Sequence, residues 1–331
     1  MDESTNAARA ARQKPVCSVV VPMYNEEEVI SETCRRLKQT MDEAGVAYEI
    51  LLVNDGSRDR TVEIASEICA GDPAFRMLLF SRNFGHQAAI TAGMDYSEGD
   101  AVVVIDADLQ DPPSVIPLML EKWREGYEVV YGKRISRAGD SGFKKATSHI
   151  FYRFLNRLTE VDIPTDVGDF RLIDRKVCEA LRRTPERNRY IRGLVSWLGF
   201  RTTGVEFARD ARFAGTTKYP LKRMIRFALD AVASFSYKPL KLASYMGIAV
   251  SLVSFVYLAV VLFQRLFTDT VVQGWASTLA VSLFFNGIVL VLLGIVGEYI
   301  GRIYDEVKGR PLYVVSRTVN MGGEDGAEPR R

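Results

Sequence analysis

Ala101–Pro113 reads AVVVIDADLQDPP, and this stretch decides the fold. It opens on an uncharged, largely β-branched run, the mark of a strand buried in a parallel sheet. Two aspartates one residue apart, Asp106 and Asp108, end the run, followed by Gln110, Asp111 and a proline pair. In open α/β sheets ligands sit in the crevice at the carboxyl ends of the strands. Alternation along extended chain puts Asp106 and Asp108 on the same side. Two carboxylates and an amide oxygen there form a hard-oxygen site suited to Mg²⁺ or Mn²⁺, ions that commonly hold substrate phosphates. Asp-x-Asp also occurs in solvated loops; the apolar strand before it and the Pro-Pro stop after it favour a functional site.

Upstream, Val16 to Val21 reads as the first strand, with Pro22-Met23-Tyr24-Asn25 as its exit loop. Glu26 to Ala44 reads as a helix, Asn25 as its N-cap and acids in its first turn. Glu49 to Val53 is the second strand, ending in the turn Asn54-Asp55-Gly56-Ser57. Thr61 to Cys69 is helical, Met77 to Phe80 a short strand and Gln87 to Tyr96 a helix leading into Ala101. Downstream, Ser114 to Arg124 is helical and Glu128 to Tyr131 another strand. This alternation predicts an α/β fold with a doubly wound, mostly parallel sheet. Phe143 to Leu158 reads as a helix, Val161 to Ile173 as irregular and then strand-like. Asp174 to Arg183 and Tyr190 to Trp197 read as helices, Gly204 to Ala208 as an added strand.

The chain of 331 residues carries a net charge of only +2, with no arginine-rich or zinc-finger pattern, so nucleic acid is not an expected partner. Cys17, Cys34, Cys69 and Cys178 are scattered and read as small core residues of a reducing compartment. Residues 1–14 are polar, lack the apolar core of a secretory signal and are expected to be disordered. From Pro220 to Tyr237, Lys222, Arg223 and Arg226 mix with Met224, Ile225, Phe227 and Leu229, a pattern for an amphipathic helix at a membrane surface. Leu242 to Gln264 and Ala276 to Gly297 then carry no charged side chain, and each exceeds the roughly 20 residues that span a bilayer. Lys238, Lys241, Arg302, Lys308 and Arg310 flank the pair, against Arg265 and Asp269 in the loop. The positive-inside rule therefore predicts a multi-pass membrane protein with both flanks, and the domain that precedes the spans, in the cytoplasm. The expected division is a tail over 1–14, a catalytic domain over 15–218, amphipathic helices over 219–241, two transmembrane helices over 242–300 and a cytoplasmic tail over 301–331. Asn286 can bond across to the first span or to another subunit, and the small residues Gly287, Gly294 and Gly297 allow helix packing between subunits, which leaves a homo-oligomer open without fixing the oligomeric state.

Five stretches converge in order: Val21-Pro22-Met23-Tyr24-Asn25-Glu26-Glu27, Asn54-Asp55-Gly56-Ser57-Arg58-Asp59, Asp106 to Pro113, Gly168-Asp169-Phe170-Arg171-Leu172, and Arg212-Phe213-Ala214-Gly215-Thr216-Thr217-Lys218-Tyr219. Together they closely resemble family 2 glycosyltransferases of the GT-A fold. The resemblance is closest to the polyprenyl-phosphate branch, that is dolichyl-phosphate mannose synthases and bactoprenol glucosyltransferases. Ser81-Arg82-Asn83-Phe84-Gly85-His86-Gln87 and the two C-terminal spans favour the bacterial type. The resemblance covers about Val16 to Tyr304.

That resemblance implies roles. Pro22, Tyr24, Glu26 and Asp55 would line the nucleoside pocket of a nucleotide-sugar donor. Asp106 would contact nucleotide and metal, and Asp108 with Gln110 would complete the protein ligands of Mg²⁺ or Mn²⁺, which neutralises the departing diphosphate. Arg134, Arg212 and Lys218 match positions that grip phosphate; Arg137, Lys144, Lys145 and Arg209 are weaker candidates that suit anionic headgroups. Asp169 matches the position usually given as the catalytic base. The acceptor implied is a membrane polyprenyl phosphate, largely dianionic near neutrality because its second pKa is about 6, and it scarcely needs deprotonating. Asp169 then either accepts a proton or positions acceptor or sugar, with Arg171 screening it from phosphate. Asp111 reads as a loop acid or proline-turn cap. His86 and His149 lack metal-spaced partners and read as structural, although His86 lies in a motif near the donor pocket.

The implied reaction is inverting, metal-dependent transfer of a hexose, UDP-glucose before GDP-mannose as donor, to undecaprenyl phosphate, giving a β-linked polyprenyl-phosphate sugar for the cell envelope. Strand-end Asp-x-Asp also marks haloacid-dehalogenase-like phosphatases, but these place it after the first strand and follow it with Thr or Val, where this chain has Leu109. A nucleotide-sugar-binding membrane scaffold would not need Asp106, Asp108, Gln110 and Asp169 intact. No Walker loop or GxGxxG precedes a helix.

Overall fold

The computed structural model describes residues 14–135, 167–184, 186–187, 189–208, 238–267 and 274–321. The helices expected over 143–158 and 220–237, together with Arg137, Lys144, Lys145, His149, Arg209, Arg212 and Lys218, lie outside them.

Four strands make a parallel core: β1 (Cys17–Met23), β2 (Tyr48–Asn54), β3 (Phe75–Phe80) and β4 (Ala101–Val104). Their valines, leucines and isoleucines, apart from the half-buried Leu79, are buried on both faces, as a sheet covered by helices requires. Each such side chain taken fully out of water contributes about 1.5–3 kcal/mol. Val19, Val21, Ile50, Leu52 and Val103 face α1 (Ile30–Ala44), α2 (Thr61–Gly71) and the helix α4 (Ile116–Arg124), entered through a 3₁₀ turn at Pro113–Val115. The opposite face carries α3 (His86–Tyr96), which packs against β1 and β2. It approaches closely because Gly93 lies over Val20, where a Cβ would overlap the valine methyls.

Three further strands complete one side: β5 (Val129–Arg134), β6 (Val167–Asp174) and β7 (Thr202–Phe207). The order across the sheet is β7-β5-β6-β4-β1-β2-β3, then β8 (Val315–Val319). β6 runs antiparallel to both β4 and β5, with Val104 opposite Arg171. Followed two places further, that register brings Asp169 level with Asp106, at the mouth of the parallel strands. The helices α5 (Arg175–Arg183), capped by the Asp174 carboxylate on Lys176 N–H, and α6 (Ile191–Trp197) follow β6.

Three local expectations change. The first helix begins at Ile30 rather than Glu26, because Asn25 adopts φ 55° and its side chain accepts from Arg58 N–H instead of capping a helix. β1 continues through Pro22 to Met23. β4 stops at Val104 and the chain turns at Asp108, with Leu109 at φ 57°, so strand alternation does not govern where Asp108 points.

Residues 301–331, expected as a tail, contribute β8 to the sheet, antiparallel on the edge of β3. Tyr313 stacks on Phe80 with ring centroids 5.3 Å apart and donates from its hydroxyl to Asp95 Oδ2 at 2.9 Å. Asn320 donates to the carbonyls of Cys69 and Phe75. Four buried, free cysteines agree with the core reading of those residues.

A separate compact unit holds two long helices, α7 (Lys238–Phe267) and α8 (Trp275–Val307), which pack on each other and leave Phe255, Tyr257, Leu290 and Ile300 among many exposed apolar side chains. Among the described residues one stretch, Phe284–Val307, is long and apolar enough to cross a membrane. At 1.5 Å per residue its 24 residues reach about 36 Å, against a hydrocarbon core of about 30 Å. The apolar stretch Ala243–Tyr257 of α7 is shorter, so of the two expected spans one meets that length.

Candidate active site

The exit loops of β1 and β2 are laced together by their own polar residues. Asn25 N–H donates to Ser57 Oγ, Glu26 N–H to Thr61 Oγ1, Arg58 N–H to Asn25 Oδ1 and Arg60 N–H to Glu27 Oε2, all at 2.8–3.0 Å. This holds Pro22, Tyr24 and Glu26 at one rim of the crevice, with Tyr24 exposed. Asp55 is buried, and its carboxylate accepts from Phe84 N–H at 2.7 Å and Gly85 N–H at 3.0 Å. Burial pushes its carboxyl above the ordinary range, against the pull of those two N–H groups. Gly56, at φ 70°, lies against the Arg82–Asn83 backbone with no room for a Cβ, and Asn83 Nδ2 donates to the Asp55 carbonyl. Asp55 thereby pins the loop that starts α3.

At the end of β4, Asp106 lies among carboxylates. Burial drives its carboxyl up to about 6; Asp169, Asp108 and Asp111 add to the rise and His86 opposes it. Asp108 Oδ1 accepts from Gln110 N–H at 3.1 Å, closing the turn. Gln110 Oε1 is buried with no hydrogen-bond donor among the described residues. Asp111, buried, pairs with Arg134 Nη2 at 3.3 Å, which makes it an anchor for that guanidinium rather than a loop acid. Among the described residues no three His, Cys, Asp or Glu side chains form a metal-holding group. Asp106, Asp108 and Gln110 are hard oxygen donors all the same, and Mg²⁺ is commonly held by one or two carboxylates with substrate phosphates supplying the rest. The buried, donorless Gln110 oxygen fits such an ion.

The antiparallel course of β6 delivers Asp169 to this crevice. Arg192, in the first turn of α6, grips it with two bonds: Nε to Oδ1 at 2.8 Å and Nη2 to Oδ2 at 2.9 Å. His86 Nε2 lies 3.3 Å from Asp169 Oδ2 and 3.6 Å from Asp106 Oδ1. Burial alone would raise the Asp169 carboxyl, but Arg192 and His86 outweigh it and hold it well below the ordinary carboxylate range. His86 is raised in turn: burial works against its charged form, and Asp169 and Asp106 prevail. Arg171 is buried, 3.9 Å from Asp169, and spends Nη2 on the Gly168 carbonyl, so Arg192 is the chief partner of Asp169.

The structure thus gathers Asp106, Asp169 and His86 into one cluster, with Asp108, Asp111 and Arg134 beside it. Pro22, Tyr24, Glu26 and Asp55 lie on the neighbouring strand ends; Arg212 and Lys218 are outside the described residues. Arg192 was not singled out from the sequence, because an arginine opening a short helix looks like a solvated residue until β6 is known to reverse. His86 was legible in part, through its motif.

A mostly parallel α/β sheet with carboxylates at the ends of β4 and β6 is the GT-A-like arrangement, and the chain belongs to glycosyl transferase family 2, which residues 18–182 match; it is a transferase. Residues 238–303 match the GtrB C-terminal hairpin. The chain is 58% identical over 304 residues to the uncharacterized glycosyltransferase YkcC of Bacillus subtilis, covering 92% of this chain and 94% of that one. It is 40% identical over 301 residues to the SfII prophage-derived bactoprenol glucosyl transferase of Shigella flexneri, covering 91% and 97%. A prophage bactoprenol glucosyl transferase homolog of Escherichia coli is 40% identical over 300 residues, covering 91% and 98%.

Proposed function

We propose that this protein transfers a hexose, glucose from UDP-glucose first among donors, to a membrane polyprenyl phosphate, with inversion at the anomeric carbon. The observation that carries the reading is full-length similarity to proteins named bactoprenol glucosyl transferase, joined to a strand-end crevice holding Asp106 and Asp169 together. A phosphate oxygen of the lipid forms the new bond to the anomeric carbon. The bond from that carbon to the diphosphate breaks opposite it, and the nucleoside diphosphate leaves with the electron pair.

Pro22, Tyr24, Glu26 and Asp55 bind the nucleoside. Asp106, Asp108 and Gln110 hold Mg²⁺ or Mn²⁺, whose charge offsets that of the leaving diphosphate. Arg134, Arg212 and Lys218 grip phosphate. Asp169, held ionised by Arg192, positions the reacting groups and takes up no proton, since the lipid phosphate is itself largely deprotonated above about pH 6. Catalysis is then positioning and charge neutralisation in a preformed site. Both α7 and α8 span a bacterial inner membrane as a hairpin, the match of residues 238–303 supporting the pairing, and Lys238, Lys241, Arg302, Lys308 and Arg310 keep the catalytic unit in the cytoplasm.

The test is a panel of radiolabelled UDP- and GDP-sugars offered with polyprenyl phosphate to membranes carrying the protein. Label from UDP-glucose should enter a chloroform-soluble, mild-acid-labile lipid; label from GDP-mannose alone would replace the donor.

A further inference from the structure

His86 has no role in the reaction as proposed, yet it occupies the gap between the two carboxylates on which that reaction depends. Its side chain is 43% exposed, opening on the crevice, whereas that of Asp169 is 9% exposed. A histidine that merely filled the core would be enclosed. Both its Nε2 neighbours are carboxylates, which when ionised only accept, so Nε2 carries the proton. It donates to Asp169 at 3.3 Å and faces Asp106 at 3.6 Å, an electrostatic contact rather than a hydrogen bond.

The ring is fixed from behind. Asp55 ties down Phe84 N–H and Gly85 N–H immediately before it, and Gly85 takes φ 101° to direct the chain into α3. The next residue, Gln87, accepts from Ile191 N–H at 3.1 Å through Oε1, joining the start of α3 to the start of α6, one residue from Arg192. A continuous path therefore runs from the β2 exit through the Asn83–Gln87 loop to β6 and α6.

We propose that His86 is a positioning residue which clamps the donor-side carboxylate Asp106 and the Asp169–Arg192 pair at a fixed separation, so that the nucleotide-sugar and its acceptor meet in line. Without it Asp169 stays held by Arg192, but Asp106 loses its link to that pair and is pushed away from it by the like charge across the gap. The inference rests on the transfer reaction proposed above.

The experiment compares wild type, His86→Ala and His86→Gln as full-length protein in membranes, on whichever donor wild type uses. His86→Ala should lower kcat by about tenfold or more, the scale expected when reacting groups are misplaced, with donor KM and the thermal midpoint nearly unchanged. His86→Gln, which keeps an N–H donor on a side chain of similar reach, should recover much of the rate. Transfer by His86→Ala at the wild-type rate, a loss confined to KM or matched by a fallen midpoint, or a glutamine variant no better than alanine would each overturn it. A wild-type protein inert toward every donor would instead count against the substrate reading.

Discussion

Arg192 closes on Asp169 with both edges of its guanidinium, Nε 2.8 Å from Oδ1 and Nη2 2.9 Å from Oδ2. The two residues are carried by elements of opposite sense, a strand that reverses against the parallel sheet and the second helix after it. A fork of this geometry fixes a carboxylate in plane and keeps it ionised, which suits a group that orients others better than one that exchanges protons.

Arg192→Lys keeps the charge and loses the fork. Lysine offers a point charge on a flexible stem, so Asp169 should be poorly held and transfer should fall by about ten- to a hundredfold. Measured kcat separates this from simple charge balance: a lysine variant as active as wild type would mean that charge alone suffices.

The depressed Asp169 carboxyl has a pH signature. A group whose pKa lies lower in the folded than in the unfolded protein contributes stability above its unfolded value, near 4, and loses it as pH falls through the folded one. Because Asp169 also raises the His86 imidazole, the comparison is made in a His86→Gln background, where the thermal midpoint lost on Asp169→Asn should stay constant from pH 8 to about 5 and shrink only below about 4. A difference that already changes between pH 7 and 6 would mark a base poised near neutrality.

Gly56 tests the loop that sets His86. At φ 70°, and against the Arg82–Asn83 backbone, Gly56→Ala should cost about 1–3 kcal/mol and reduce transfer as well, because the same loop leads to α3. Denaturant unfolding and initial rates on one preparation would check both; a stable, fully active variant would show the loop to be slack.

The return of the chain to β3 predicts a graded series at Tyr313. Tyr313→Phe removes the bond to Asp95 and should cost about 1 kcal/mol. Tyr313→Ala also removes the stack on Phe80 and should cost about 3–5 kcal/mol, with aggregation if β8 detaches and uncovers the β3 edge. Equal, small effects would mean that β8 adds nothing to the unit.

Much of this was legible beforehand. The runs Val19-Val20-Val21, Ile50-Leu51-Leu52 and Ala101–Val104 declare buried parallel strands by composition alone, and the acids after them declare the crevice. Periodicity carries no strand direction, so the reversal of β6, and with it the meeting of Asp169 with Asp106 and Arg192, was not. Nor was β8, whose five residues VSRTV follow a charged segment and read as tail until β3 offers them an edge. Asp108 misled for a local reason: alternation holds only while chain stays extended, and Leu109 at φ 57° breaks it.

The central claim is that a lipid phosphate attacks a nucleotide-activated hexose held at the Asp106 crevice. Its most direct measurement is transfer of radiolabelled glucose from UDP-glucose into polyprenyl phosphate by membranes carrying wild type or Asp108→Ala, with and without a chelator. The account predicts labelled, mild-acid-labile lipid from wild type alone, abolished by the substitution and by chelation. Undiminished transfer by Asp108→Ala in the presence of chelator would contradict it.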